Sequence, residues 1–370
     1  MSKPSVSVLR ILTGTVALAM AATACGSADA TDDGSGDAAG NEDGADEVVT
    51  DNSEGELSGE LRLGVFPNVT HAPGIVNIED GHLEEALGDE VDLTVQSFNA
   101  GPDVIEAILS GALDVSYIGP NPAINGFAQS NGEALRIIAG STSGGAFLVT
   151  RPGIDEVEDL DGATISTPQL GNTQDVAVRA WLAEHELETT LEGHGDVQIL
   201  PQANAQILST FAQGEIDGAW VPEPWATRMI EEADGQVLVD ERDLWDNGEF
   251  VTTHVIARTG YLEENPQIVA ALLDGHLDAL EAIEADPESA QQTVADTIEE
   301  VTGTAIDPDV LDLAWQNLEF TPDPIAASLH GSAEDATASG LLDPVDLDGI
   351  YALDLLNELL GERGEQEVSS

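Results

Sequence analysis

The segment Ile108-Leu109-Ser110-Gly111-Ala112-Leu113-Asp114-Val115-Ser116-Tyr117-Ile118 returns 103 residues later as Phe211-Ala212-Gln213-Gly214-Glu215-Ile216-Asp217-Gly218-Ala219-Trp220-Val221. Gly111 matches Gly214, Asp114 matches Asp217, and Tyr117 matches Trp220. Each copy reads as a helix end, a glycine turn and a strand. Each then runs into a proline-rich loop, Gly119-Pro120-Asn121-Pro122 or Pro222-Glu223-Pro224. Proline suits the first turn of a following helix, where its missing N–H is not needed. The echo predicts two similar lobes.

Working outward, strand and helix patterns alternate on both sides of each copy. Leu61–Phe66, Val91–Val95, Leu113–Ile118, Ala134–Ala139 and Ala146–Thr150 read as strands, with a helix over Asp103–Ser110. A second series follows: strands at Thr164–Ser166, Val197–Leu200, Gly218–Val221 and Val237–Val239, and helices at Thr173–Glu186 and Ala203–Gln213. Phe250–Ala257 is apolar enough to cross back to the first lobe. Helices are expected from Asn265 onward, at about Asp309–Asn317, Pro324–Ser339 and Pro344–Leu360. Such alternation predicts an α/β class with largely parallel sheets. Lobe 1 is assigned to 59–148 plus 256–370 and lobe 2 to 149–255, with hinges near Phe147–Gly153 and Phe250–Ala257. Ligands of open α/β sheets sit beyond the carboxyl ends of strands, where helix N-termini suit anions.

Charge narrows the partners. Ten Lys and Arg stand against 71 Asp and Glu, a formal charge of −61, which excludes the basic footprint that nucleic acid requires. Only Lys3 is a lysine, and an acidic surface of this kind suggests adaptation to high salt. Hydrophobic residues at 42% suffice for a core, so the chain is not globally disordered.

The N-terminal region reads as address and tether rather than fold. Lys3 and Arg10 precede an uncharged run, Ile11–Ala24, too short to span a bilayer comfortably and suited to a secretion signal over 1–24. It ends Ala22-Thr23-Ala24-Cys25-Gly26, similar to a bacterial lipobox, which implies lipidation of Cys25 and a lipid anchor in the cell membrane on its extracytoplasmic face. Residues 25–58 are assigned as a tether; Gly26–Glu60 carries 12 acidic residues and no basic ones and is expected to be disordered. Cys25 is the sole cysteine, so an intramolecular disulfide and a multi-cysteine metal site are excluded. The seven histidines show no HExxH or tight metal-ligand spacing, and neither a metal nor a cofactor is expected.

Five motifs together resemble the solute-binding proteins of ABC importers, in the sulfonate/nitrate/taurine group and nearest to aliphatic sulfonate binders. They are Phe66-Pro67-Asn68-Val69-Thr70-His71-Ala72-Pro73, Tyr117–Ile124, Thr142-Ser143-Gly144-Gly145, Thr167–Asp175 and Trp220–Ala226. The resemblance covers about Gly59 to Leu360. It implies the two-lobed periplasmic-binding-protein fold (type II, Venus-flytrap) with two hinge crossings, closing by hinge motion on a small oxyanion. It also implies a monomer that delivers its ligand to an ABC permease and ATPase, and no catalysis.

Carried over by motif, Thr70 and His71 lie in the first binding loop and Asn121 at a helix N-terminus. Thr142 and Ser143 offer hydroxyls. Asn172, Thr173 and Gln174 present amides and N–H groups, and Glu223 and Trp225 close the far wall. Such donors suit a sulfonate. Asn121 and Thr173 are also compatible with helix caps, His71 with a surface loop and Trp225 with core. Glu223 repels an anion, so it is expected to hold an ammonium group as in taurine, to pair with an arginine such as Arg228, or to be structural. No ligand arginine stands out. Alternative ligands are nitrate, bicarbonate, a phosphonate or a thiamine pyrimidine precursor. An enzyme using His71 with Glu223 as an acid–base pair is a further alternative.

Overall fold

A computed structural model describes residues 57–370. The signal, Cys25 and the tether up to residue 56 lie outside the described residues. Eleven strands are present among the described residues: β1 (Gly59–Val65), β2 (Val91–Ser97), β3 (Val115–Ile118), β4 (Leu135–Gly144), β5 (Ala146–Thr150), β6 (Thr164–Thr167), β7 (Gln198–Pro201), β8 (Gly218–Pro222), β9 (Gln236–Asp240), β10 (Val251–Arg258) and β11 (Leu318–Phe320). They form two sheets, ordered β11-β4-β10-β3-β1-β2 and β7-β6-β8-β5-β9.

Apart from β11 the two sheets share one plan. β2-β1-β3 and β7-β6-β8 are parallel triplets, extended by an antiparallel strand, β10 or β5, and closed by β4 or β9. The echoed aspartates do the same job in both. Asp114 accepts from the Arg62 N–H at 3.1 Å and its own N–H reaches the Arg62 carbonyl at 3.0 Å. Asp217 accepts from the Thr164 N–H at 2.8 Å and its N–H reaches the Thr164 carbonyl at 2.8 Å. Each therefore fixes the start of the neighbouring strand, β1 or β6. Asp114 is buried and takes two further bonds from the Arg62 guanidinium, at 2.7 and 2.6 Å, so its charge is paired, as burial requires.

Both faces of each sheet are covered. Leu61, Leu63, Tyr117 and Val255 pack on the helix Pro266–Ala285 through Ile268, Leu272 and Leu273. The other face packs on the helices Gly101–Leu109, Pro120–Gln129 and Ala326–Ala338. In the second lobe Thr173–Glu184 covers one face, and Asn204–Gln213 with Trp225–Ala233 the other.

The chain passes between sheets at Gly144–Gly145 and again between Asp240 and Val251. Gly144 and Gly145 have φ of 77° and 70°, a region glycine enters at little cost. A Cβ on Gly145 would also lie 2.2 Å from the Leu318 side chain. The crossings thus precede the strands β5 and β10, which make up most of Phe147–Gly153 and Phe250–Ala257. Boundaries drawn at 148/149 and 255/256 would cut both strands. β5 pairs wholly within the second sheet and β10 within the first.

Two elements depart from the sequence reading. β4 continues through Thr142 and Ser143 to Gly144, held by β10 and β11. The last helix is Asp354–Arg363 rather than Pro344–Leu360, as Pro344 and the positive φ of Gly349 interrupt the helical pattern. No helix among the described residues is long and apolar enough to cross a membrane.

Candidate functional site

A cleft of about 490 Å³ opens between the carboxyl ends of the two sheets. The first lobe contributes Phe66, Thr70, His71, Phe98, Gly119, Thr252 and Thr253. The second contributes Pro168, Asn172, Thr173, Gln174, Asn204, Trp225 and Arg228. The segment that includes Ile298, Val301 and Ile306 closes one side. None of the lining residues is Asp or Glu, and Arg228 is the one Lys or Arg among them, in a chain with 71 acids.

The helix Thr173–Glu184 points its N-terminus at the cleft. Asn172 is its cap: the side-chain oxygen accepts from the Gln174 N–H at 3.1 Å. The Asp175 and Val176 N–H groups bond the Asn172 carbonyl, which leaves the Thr173 N–H as the first-turn donor without a bond of this kind. Asp175 stiffens the turn, accepting from the Thr167 hydroxyl at 3.0 Å, the Gly171 N–H at 3.0 Å and Arg179 at 3.1 Å. Thr173 is therefore not the cap.

On the opposite wall the turn Val69–His71 sits against β4 and β10. The Thr142 hydroxyl donates to the Thr70 carbonyl at 2.8 Å and anchors it. The His71 ring stacks on Phe66, with centroids 4.3 Å apart and planes 20° apart. Burial pushes its pKa down to about 3, so the imidazole is neutral near pH 7. Its Nδ1 has no protein partner, and neither does the Thr253 hydroxyl on β10. Both residues line the cleft.

Six of the ten ligand candidates line the cleft: Thr70, His71, Asn172, Thr173, Gln174 and Trp225. Four do not. The Asn121 amide donates to the Ser332 carbonyl at 3.1 Å and ties two first-lobe helices together. Thr142 is spent on Thr70, and Ser143 is buried in β4 between β10 and β11. Glu223 faces away: its carboxylate accepts from the Thr227 N–H and hydroxyl at 3.1 and 2.8 Å, and from the Asn317 amide at 2.7 Å. Hence Glu223 neither offers a carboxylate to the cleft nor meets His71. Nor does it pair with Arg228, which bonds Glu232 at 2.8 and 3.1 Å and lies 5.1 Å over the Trp225 ring.

Arg228 is the main residue the sequence reading missed as a cleft residue. Its signal was present: it follows Trp225 by three, which puts both on one helix face. The hydroxyls of Thr252 and Thr253 were hidden inside an apolar strand pattern. Among the described residues no cluster of His, Cys, Asp and Glu is arranged to hold a metal ion.

Comparison with known proteins agrees with this architecture. The taurine-binding periplasmic protein of Escherichia coli (strain K12) is 25% identical over 266 residues, 71% of this chain and 80% of that one. Among solved structures, the alkanesulfonate-binding protein SsuA from Xanthomonas axonopodis pv. citri, bound to MOPS, has a TM-score of 0.64 at 20% identity, over 77% of this chain and 94% of that one. The periplasmic nitrate-binding protein NrtA from Synechocystis PCC 6803 has a TM-score of 0.66 at 15% identity, over 83% and 89%. The fold is that of the periplasmic binding proteins. Residues 54–299 match the model of one family over most of the folded region, and the chain belongs to that family, the NMT1-like family.

Proposed function

We propose that this chain is the solute-binding component of an ABC-type importer, and that its cleft captures a small organic anion of the sulfonate class. The observation that carries the reading is the wall itself, free of carboxylates and holding one arginine within a strongly acidic chain. Arg228, whose Nε and Nη2 are bonded to Glu232 and whose Nη1 is not, joins the Thr173 N–H with its helix dipole and the Thr253 hydroxyl as donors on a wall that itself holds no acid. A sulfonate accepts hydrogen bonds and needs no proton partner, so donors alone suffice. Similarity to taurine- and alkanesulfonate-binding proteins supports the same class. Taurine itself is disfavoured, because Glu223, the candidate for its ammonium, points elsewhere.

On this reading the protein is a receptor rather than a catalyst, acting as a monomer outside the cytoplasm. Cys25 would hold it to the membrane by lipidation, beside a permease and its ATPase. A second reading, a planar nitrogen heterocycle such as a thiamine pyrimidine precursor, is favoured by one observation. Phe66, Phe98 and Trp225 gather at the cleft in a chain with 15 aromatic residues (7 Phe, 5 Trp, 3 Tyr).

Thermal unfolding in high salt against taurine, alkanesulfonates, nitrate, bicarbonate, phosphonates and an aminopyrimidine separates these readings. A ligand at 100 times its dissociation constant adds about 2.7 kcal/mol of stability. A shift with alkanesulfonates supports the proposal. A shift with the aminopyrimidine alone replaces it with the second reading.

A further inference from the structure

A single residue separates the paired ends of the two sheets at the first crossing. Gly144 pairs with Leu318 of β11 in the first sheet, and Ala146 pairs with Pro222 of β8 in the second. Gly145 alone stands between these pairs, without the side chain that would stiffen the joint. Both registers are antiparallel, so continuing each by one residue puts Asn317 and Glu223 opposite Gly145.

The two residues move with different lobes. Asn317 goes with the first, because Leu311 and Trp315 just before it pack in one cluster with Val65 and Ile75. Glu223 goes with the second. The Thr227 N–H and hydroxyl seat its carboxylate on the first turn of the helix Trp225–Ala233, and its own N–H bonds the Gly145 carbonyl at 2.8 Å. Across the joint the Asn317 amide donates to Glu223 Oε1 at 2.7 Å. Among the described residues this is the one side-chain hydrogen bond that joins the lobes, and no ion pair does so. Glu223 is fully buried, so salt screens the bond little. Where the helix Ala326–Ala338 of the first lobe packs on Thr173–Glu184 of the second, by contrast, like charges meet. Burial raises Asp335 to about 6, and Glu184 across the lobe boundary adds to that rise.

We propose that the Asn317–Glu223 bond is a latch between the lobes, which sets their resting angle and tunes ligand affinity from outside the cleft. Rotation about Gly145 swings the amide away from the carboxylate, so the bond belongs to one arrangement of the lobes. It adds its free energy to that arrangement, and a ligand that contacts both lobes gains from it without touching it. Every such ligand gains by the same factor. Asn317 is a positioning residue in this scheme: it acts through Glu223 and does not line the cleft.

The test compares wild type with Asn317→Ala by small-angle scattering and by calorimetric titration with ethanesulfonate and butanesulfonate. It is run in high salt at about pH 8, above the value of about 7 to which burial raises Glu223. Without ligand the variant should have a larger radius of gyration than wild type, and saturating ligand should restore the wild-type value. Both sulfonates should bind about tenfold more weakly, the size of one charge-assisted hydrogen bond, and by the same factor. Glu223→Gln keeps the shape and removes the charge. It should move both readouts the same way by less, and it carries the test should Asn317→Ala fail to fold. A folded variant with the wild-type radius overturns the latch, and so does a loss of affinity confined to one sulfonate. Failure of both sulfonates to bind wild type overturns the sulfonate reading instead, and the scattering comparison, which needs no ligand, then decides the latch.

Discussion

A methyl group on Gly119 would lie 2.7 Å from the Thr173 hydroxyl. Gly119 follows β3 of the first lobe and Thr173 opens a helix of the second, so the lobes meet here across the cleft. The φ of Gly119 is −69°, a value any residue adopts, so space and not backbone strain demands glycine. Gly119→Val should fold with an unchanged melting temperature but hold the lobes apart. Ligand affinity should fall at least tenfold, about 1.4 kcal/mol, and the radius of gyration with ligand should stay at its ligand-free value. Unchanged affinity would show that closure does not pass through this contact.

Glu223 gives a pH signature. Burial pushes its carboxyl up to about 7 from an ordinary 4.5, against the bonds from Thr227 and Asn317 and the attraction of Arg242. The folded protein therefore keeps a proton that the unfolded chain has released between pH 4.5 and 7. Stability from this group falls as pH rises through that window, by at most on the order of 3 kcal/mol at about 1.4 kcal/mol per unit. His71, His254 and His276 act oppositely: burial lowers them to about 3, 4 and 4, so the stability they contribute is lost as pH falls from 6.5. Burial also raises Glu241 to about 7 and Asp335 to about 6, so three carboxyls oppose the three histidines and wild type should show a shallow profile. Glu223→Gln removes one of the carboxyls, and its stability relative to wild type should improve steadily from pH 4.5 to 7. A constant difference across that range would mean that the carboxyl is not buried in a shifted state.

Asn121→Ala should affect folding rather than binding. The lost bond to the Ser332 carbonyl costs about 1–2 kcal/mol of stability in denaturant unfolding. Ligand affinity should move less than twofold. A larger loss of affinity than of stability would return Asn121 to the ligand.

Arg228→Gln separates the two ligand readings. Loss of a charge-assisted bond worth about 1.5–3 kcal/mol should weaken sulfonate binding tenfold or more. Binding of a neutral pyrimidine, which needs no cation, should hardly change. Equal loss for both would place the role of Arg228 in its packing on Trp225.

Much of the fold was legible because its signals are local and repeated. The matched glycine, aspartate and aromatic positions announced two lobes, and Asp114 and Asp217 proved to anchor equivalent strands. The site was less legible, because side-chain direction depends on partners far along the chain. Thr142 and Ser143 look like loop hydroxyls until β10 and β11 pair beside them and extend β4. Glu223 looks like a wall residue until Asn317, 94 residues away, claims its carboxylate. β11 has three residues, too few for a periodic signal, yet it carries the Leu318 that packs on the crossing at Gly145.

The carboxylate-free cleft has a kinetic consequence. From Leu61 onward the chain carries 8 arginines against 59 acids, so an incoming anion meets a net repulsive field on its way to a cleft wall that itself holds no carboxylate. Salt shrinks that field, from a reach of about 30 Å at 0.01 M to about 8 Å at 0.15 M. Receptors that steer their ligands by charge lose speed as salt is added. This one should capture its ligand faster in brine than in fresh water, with its association rate throttled by dilution of the surrounding medium rather than by any change within the site.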